Sequence, residues 1–531
     1  MSGPRSIRGV LATDTQLGAG NVIERLLDHG VEHDEPTLTF DTRTDAQPAW
    51  QTLSLGELDR CIARRAGWLH AHGIGRRDVV AVCSAHAPDY VLTFFAANRL
   101  GAIPAFVNNR LDEGTGVAYL RHIKPTAILA DPAHRTVWSP YDLGASRLYA
   151  VEDLADEHPE AQIPPYRHRA DDPVVLTHSS GTTGMPKAVI STHASLFAGL
   201  RHWLRRPRAQ GSERMLSVLP MHNSMLAAVL SALCNRSQFL QLSSQSGRRA
   251  LEAIERWRPS GVYGFPGTWV EILALSPSHD QLRSVRAWWN TGDSAHEAHI
   301  RRLIGFGRHD EATSRGRRTV DGSSFVDGFG SSEMGHSQFS IIHRPDTDHY
   351  NRCIGRPHSF AEVRVLGGDG IPVPDGSVGQ LAVRSPTLFA GYWNDSARSY
   401  RSHHDGFYLT GDFGYRDGAG YYYHVDRTAD AIQTATGTRI YTTLVEEQIL
   451  ARCPGLLDCT VVASDVDGEP HTEILLTLRP EAQCDPELDY ETHILGLLDA
   501  AVARTVKNVR IAGSRIPTGA TGKVRKFQLR V

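Results

Sequence analysis

Two stretches of the chain combine the residue types that phosphate chemistry requires. Its 56 basic residues comprise 51 arginines and five lysines: Lys124, Lys187, Lys507, Lys523 and Lys526. Lys187 closes the run Thr177-His-Ser-Ser-Gly-Thr-Thr-Gly-Met-Pro-Lys187, and Lys523 closes Ile516-Pro-Thr-Gly-Ala-Thr-Gly-Lys523. In a chain that favours the planar guanidinium so strongly, a compact ammonium at these points is a specific requirement. In the first run Gly181 and Gly184 let backbone N–H groups turn toward an anion. Ser179, Ser180, Thr182 and Thr183 add hydroxyl donors, and Lys187 adds charge. The spacing is not that of a GxxxxGK(S/T) loop. A plain Ser/Thr/Gly linker is the alternative, but the run follows directly on the apolar strand pattern Val174-Val-Leu-Thr177.

Two further strings offer carboxylates. Phe329-Gly-Ser-Ser-Glu333 sets an aromatic face beside an acid suited to Mg²⁺, which prefers hard oxygen ligands shared with phosphates. Tyr408-Leu-Thr-Gly-Asp412 presents an acceptor-only side chain apt for two O–H donors. As isolated strings, Glu333 would be a solvated loop residue and Thr-Gly-Asp an ordinary turn.

The elements that must position these groups are legible in outline. Ser54-Leu-Gly-Glu57 reads as a capping box opening a helix that buries Leu58, Ile62, Ala66 and Leu69 and stops at Gly73. Strand Val79 to Cys83, helix Pro88 to Leu100, strand Ala102 to Val107, a helix near Thr115 to Ile123 and strand Ala127 to Ala130 come next. Such alternation predicts an α/β fold with parallel sheets covered on both faces. From Phe360 the texture becomes β-rich, with Glu362 to Leu366 and Gln380 to Arg384 alternating. After Arg427 a smaller α+β unit is expected, with a helix near Leu444 to Ala451, strands near Cys459 to Ala463 and Glu473 to Leu478, and a helix near Glu491 to Arg504. We place the boundary near Asp426, giving a large domain over 1–425 and a small one over 426–531.

Composition narrows the function classes. At 531 residues, two or more domains are expected. A formal charge of −3 provides no footprint for nucleic acid or an anionic membrane. The seven cysteines have no metal-ligand spacing and read as reduced thiols. The N-terminus lacks a signal-peptide core, and Val91 to Val107 is interrupted by Asn98, Arg99 and Pro104, so the sequence predicts a cytoplasmic protein without a membrane span.

Taken in order, these strings resemble the adenylate-forming superfamily of acyl-CoA synthetases, nonribosomal adenylation domains and luciferases, from about residue 55 to the C-terminus. The family's (S/T)SGTTGxPK loop corresponds to Ser179-Ser-Gly-Thr-Thr-Gly-Met-Pro-Lys187, YGxTE to Phe329–Glu333, YxTGD to Tyr408–Asp412, and PxxxxGK to Pro517–Lys523. The resemblance implies a large ATP- and carboxylate-binding domain followed by a mobile domain that delivers Lys523. It implies ATP contacts from Ser179, Ser180, Gly181, Thr182, Thr183, Gly184, Lys187, Phe329, Gly330, Ser332, Glu333, Asp412 and Arg427. Mg²⁺ would be held by Glu333 and Thr183, Phe329 would stack on adenine, and Asp412 and Arg427 would meet the ribose. Lys523 would stabilise the pentavalent phosphorus as a carboxylate attacks the α-phosphate. His222, in Pro220-Met-His222, resembles a histidine that borders the carboxylate pocket; a satisfied loop histidine is its other reading. The activity implied is ATP-dependent adenylation of a small carboxylic acid, then acyl transfer to a thiol, that of CoA or of a carrier-protein phosphopantetheine. The alternative is an amine or other nitrogen or oxygen acceptor. Intact Lys187, Glu333, Asp412 and Lys523 weigh against a catalytically dead nucleotide-binding relative.

The chain also departs from the pattern. Phe329 replaces a tyrosine, and the histidine element is one residue short. The hinge reads Arg427-Thr-Ala-Asp-Ala-Ile-Gln-Thr-Ala-Thr-Gly-Thr-Arg-Ile-Tyr441, with Ala429 at the usual pivot and one residue inserted before Gly437. In CoA-using relatives this loop shapes the pantetheine tunnel, so the departure bears on the second half-reaction. Asn290-Thr-Gly-Asp293 replaces a small Gly/Ala-rich turn, and Asp293 reads as a turn residue rather than a substrate contact. No aspartate matches the one that binds an α-ammonium in nonribosomal adenylation domains.

Overall fold

The computed structural model describes residues 6–155, 163–179, 185–222, 225–313, 316–433, 437, 439–466, 469–481, 489–512 and 526. The capping box forms: Ser54 N donates to Glu57 Oε2 at 2.9 Å and Glu57 N donates to Ser54 Oγ at 3.2 Å. The helix Leu55–Ala71 ends at Gly73, whose φ of +77° turns the chain back. The next strand, Val79–Cys83, is buried along its whole length. Val80 and Val82 pack in the core shared with helices Leu55–Ala71 and Ala87–Arg99, while Val79, Ala81 and Cys83 pack in the core of helix Glu113–Ile123. A strand covered on both faces needs this continuous apolar run.

That strand lies inside a six-stranded sheet of order Arg147–Ala150, Ala127–Ala130, Val79–Cys83, Ile103–Phe106, Pro173–His178, Ala188–Thr192. All neighbouring strands in it pair parallel except the last two. The second large sheet has 14 strands among the described residues. Its parallel centre runs Pro36–Phe40, Gln238–Gln241, Arg214–Ser217, Gly261–Gly264, Ala287–Thr291, Ser324–Phe329. The β-rich stretch expected beyond Phe360 is an antiparallel wing of this same sheet, joined through Phe339–His343 and Cys353–Pro357.

Beyond the strand Tyr422–Arg427 the chain builds a three-stranded sheet from Leu456–Val466, Glu469–Leu478 and Val506–Ile511, with the helix Thr442–Arg452 against it. Asp426, fully buried, caps that helix. It accepts from Thr442 N at 2.5 Å, Thr442 Oγ1 at 3.0 Å and Thr443 Oγ1 at 2.7 Å. The helix expected over Glu491 to Arg504 is instead two helices, Tyr490–Leu497 and Ala500–Ala503. Leu498 turns extended between them and buries its side chain beside Ile494.

Lys526, which the sequence suggests is an ordinary surface residue, is largely shielded, its side chain 12% exposed. Its Nζ lies 2.8 Å from Glu446 Oε1 and donates to Thr442 Oγ1 at 2.7 Å. Glu446 and Glu447 also face His296, at 3.7 Å and 2.5 Å, and Glu447 accepts from Glu297 N at 3.1 Å to cap the helix Glu297–Ile304. Burial opposes charge on His296, but the two carboxylates outweigh it and push its pKa up to about 9. Burial alone would raise Glu446; Lys526 and His296 hold it near 2 instead. A histidine whose folded pKa is raised contributes stability that is complete below its unfolded value, about 6.5, and is lost as pH rises through about 9. Urea unfolding at pH 6.5 and 9.5 should therefore show the wild type losing on the order of 2–3 kcal/mol more than His296→Gln across that interval. Equal losses in both proteins would remove His296 from this seam's energetics.

Candidate active site

Four strands of the two sheets end around one cavity. Ser179 comes after Pro173–His178, Phe265 after Gly261–Gly264, Gly292 after Ala287–Thr291, and Gly330 after Ser324–Phe329; each lines the space. Carboxyl ends of parallel strands are where open α/β sheets bind ligands.

Pro173–His178 and Ala188–Thr192 form a hairpin clamped by Ser179 N donating to Lys187 O at 3.2 Å. Ser180, Gly181, Thr182, Thr183 and Gly184 lie outside the described residues, as does Lys523. Lys187 Nζ stands 3.3 Å from Glu333 Oε1 and donates to Tyr392 OH at 3.3 Å, and Tyr392 OH donates to the same carboxylate oxygen at 3.1 Å. Burial, and then the Glu333 charge, push the Tyr392 phenol far up, so it stays a donor. The buried Ser179 Oγ has no partner among the described residues. An ammonium, a carboxylate and an unused hydroxyl at a strand end suit a phosphate with its cation. Glu333 belongs to no cluster of three His, Cys, Asp or Glu side chains among the described residues. A lone carboxylate fits Mg²⁺ that takes its other oxygens from phosphate and water.

Asp412 lies on the long strand Phe407–Arg416, 3 % exposed, paired in register with Arg427. Arg427 Nε is 3.1 Å and His424 Nε2 3.5 Å from Asp412 Oδ1. Burial would raise this carboxyl, but Arg427 and His424 outweigh it and hold it below the usual range. The His424 ring lies 4.9 Å from Phe329, which also packs on Phe339. Phe329 is thus enclosed, whereas Gly330, Ser332, Glu333 and Arg427 line the cavity. Arg352 donates to His424 Nδ1 at 2.8 Å and pairs with Asp293 at 3.1 Å. Asp293 also receives Ser294 N at 2.9 Å, so it serves the turn and an ion pair together.

His222 stacks on His178 with centroids 4.5 Å apart and an interplanar angle of 10°, beside Asn108. Burial drives His178 down to about 4 and His222 well below its ordinary value, so both are neutral. His222 supports the floor under the hairpin and is not part of the cavity wall.

The cavity itself, about 440 Å³, is lined by Lys187, Glu333, Tyr263, Phe265, Trp289 and Trp203 among others. Asn290 holds this wall: it accepts from Trp269 Nε1 and donates to Asp327 Oδ1, both at 2.7 Å. Burial raises Asp327 to about 7. Tyr392, His424, Arg352 and Asp327 were invisible as site residues in the sequence. Tyr392 and His424 each stand in aromatic runs with ordinary core readings, and Asp327 is one acid in a strand.

An ammonium–carboxylate pair at strand ends, beside an aromatic-lined cavity, suits a phosphate-bearing ligand. The chain belongs to the AMP-binding enzyme family, whose model matches residues 31–393. It is 41% identical to a Streptomyces 3-aminoavenalumate diazotase, covering 99% of this chain and 98% of that protein. It is 28% identical to an Amycolatopsis feruloyl-CoA synthase, covering 90% and 93%. The fold is similar to that of Bacillus subtilis o-succinylbenzoate CoA synthetase in complex with ATP and magnesium, with a TM-score of 0.78, 20% identity and coverage of 96% and 99%.

Replacing Arg427 by Met leaves Asp412 buried without its cation. The loss should be about 1–2 kcal/mol, tempered by partial exposure of Arg427, and should shrink in the double variant with Asp412→Asn. Chemical denaturation of the four proteins measures it; strict additivity would mean that the pair carries no coupling.

Proposed function

We propose that this chain is an adenylate-forming enzyme that uses ATP to activate nitrite and delivers the nitrogen to the amine of an amino-substituted aryl carboxylate, forming a diazo product. The observation that carries the reading is the 41% identity, across 99% of the chain, with a diazotase. The aromatic wall of Tyr263, Phe265 and Trp289 suits a flat aryl substrate, and the altered hinge run Arg427–Tyr441 fits an enzyme with no pantetheine to thread.

The chemistry balances. A nitrite oxygen attacks the α-phosphate and pyrophosphate leaves. The aryl amine then attacks the nitrogen of the mixed anhydride; the N–O bond breaks and AMP departs with the former nitrite oxygen. Loss of a proton gives an N-nitrosoamine, which tautomerises to a diazohydroxide, takes up a proton and expels water as the diazonium forms. Lys187 and the hairpin hold the phosphates, Asp412 accepts from the ribose hydroxyls with Arg427 beside it, and Lys523 approaches the reacting phosphorus. Residues 426–531 act as the mobile unit that brings it there. Mg²⁺ held by Glu333 would neutralise phosphate charge.

A second reading, acid–thiol ligation through an acyl adenylate, is favoured by the likeness to feruloyl-CoA synthase. Incubation with ATP, Mg²⁺, CoA, ¹⁵N-nitrite and a panel of amino-substituted benzoates and cinnamates separates the two. Mass spectrometry should find a ¹⁵N-containing diazo product with one AMP per product and the carboxylate intact. Nitrite-independent acyl-CoA with equimolar AMP would overturn the proposal in favour of the thiol reading.

A further inference from the structure

Two guanidinium groups, Arg8 and Arg208, line the cavity together with Trp203. Arg8, on the short helix Ile7–Leu11, donates through Nη2 to Trp203 O at 3.0 Å and Arg206 O at 2.8 Å. Its Nε is buried and has no partner among the described residues. Arg208 donates to Ser212 Oγ at 3.2 Å, Ser212 O at 3.1 Å and Ser237 Oγ at 3.0 Å. All these partners are neutral. Other arginines of the chain pair with acids, as Arg25 does with Asp14, Arg236 with Glu35 and Arg286 with Asp310, and others, such as Arg201 and Arg214, donate to neutral oxygens without lining the cavity through a buried, unpartnered Nε. Here two like charges line one cavity with no acid paired to either among the described residues, and burial, then the Arg208 charge, lowers the Arg8 pKa. Such an arrangement costs free energy that an anion would return.

The same cavity is lined by Trp203, Tyr263, Phe265 and Trp289. Trp203 Nε1 donates to His336 Nε2 at 3.0 Å, which fixes the indole, and burial keeps His336 neutral. An aryl group lying against Trp203 and Trp289 would share one cavity with Lys187 and with the two arginines.

We propose that Arg8 and Arg208 form a carboxylate-binding site that takes the acid group of an amino-aryl carboxylate and so directs its amine toward the α-phosphate. The direction assigned to the substrate rests on the diazotase reading, in which the acid is recognised and not activated. In acyl adenylation the same carboxylate would have to lie at the α-phosphate instead.

Equilibrium binding tests the site without relying on turnover. Calorimetry with 3-amino-4-hydroxybenzoate and with its methyl ester, no nitrite or ATP present, gives an acid-over-ester preference for the wild type, Arg8→Gln and Arg208→Gln. Each substitution should cut that preference by about tenfold, the scale of one charge-assisted hydrogen bond in a partly solvated site. Arg208 is exposed, so Arg208→Gln carries the test even where loss of the Arg8 contacts disturbs the fold. An unchanged preference in folded Arg208→Gln, or a wild type that binds acid and ester equally, overturns the proposal. A reduced preference in Arg208→Gln, alongside a wild type that makes no diazo product, would keep the anion site and reject the diazotase reading instead.

Discussion

The arrangement turns on one buried carboxylate. Glu333 is 4% exposed, and a charge so placed persists only with a cation and hydrogen bonds around it. Those come from parts of the chain far apart in sequence. Lys187 arrives from the hairpin of the six-stranded sheet, Glu333 from the loop after a strand of the larger sheet, and Tyr392 from a segment bridged to Val189. Phe389 N donates to Glu333 O at 2.9 Å and fixes the loop's backbone as well. The two sheets therefore meet where a phosphate and its cation would sit, and the cleft below inherits its shape from the strand ends on either side.

A second electrostatic seam joins the large sheet to the C-terminal elements. Asp426 sits near the end of the last strand before the C-terminal elements and caps their first helix, so one side chain ties the large sheet to that helix. On the same helix Glu446 and Glu447 meet His296 and Lys526. Four ionisable side chains in alternating sign make this contact conditional on protonation, which a purely apolar contact would not be. Among the described residues of the C-terminal elements, only Leu457 joins the core beneath the larger sheet, so charge carries a large part of the specificity here.

Local signals in the sequence were dependable where the determinant was local. Ser54 and Glu57 cap a helix within three residues of one another, and Val79 to Cys83 announces its buried strand by composition alone. The resemblance gave Lys187 to the phosphates and Glu333 to their magnesium as two separate strings, and their direct pairing is seen only in the structure. What escaped depended on contacts across the sheets. Lys526 reads as a solvated tail charge until Glu446 and Thr442 are seen around it, and the helix near Glu491 breaks because Leu498 finds a core position that no heptad-like pattern reveals. Arg8 carries no signal at all in a chain of 51 arginines; its neutral partners and its place on the cavity become visible only in three dimensions.

The chemistry divides on which oxyanion meets the α-phosphate. A carboxylate would make the aryl acid the activated group, and the arginines would then have no anion to hold. Nitrite would leave the acid free for recognition and make the amine the nucleophile. Oxygen labelling decides it, since AMP keeps the oxygen of whichever anion attacked phosphorus. The enzyme should be given [¹⁸O]nitrite with an unlabelled amino-aryl carboxylate, and in a parallel reaction unlabelled nitrite with the [¹⁸O]carboxylate. AMP carrying ¹⁸O only in the first reaction is the predicted result; label in AMP from the carboxylate would contradict the account.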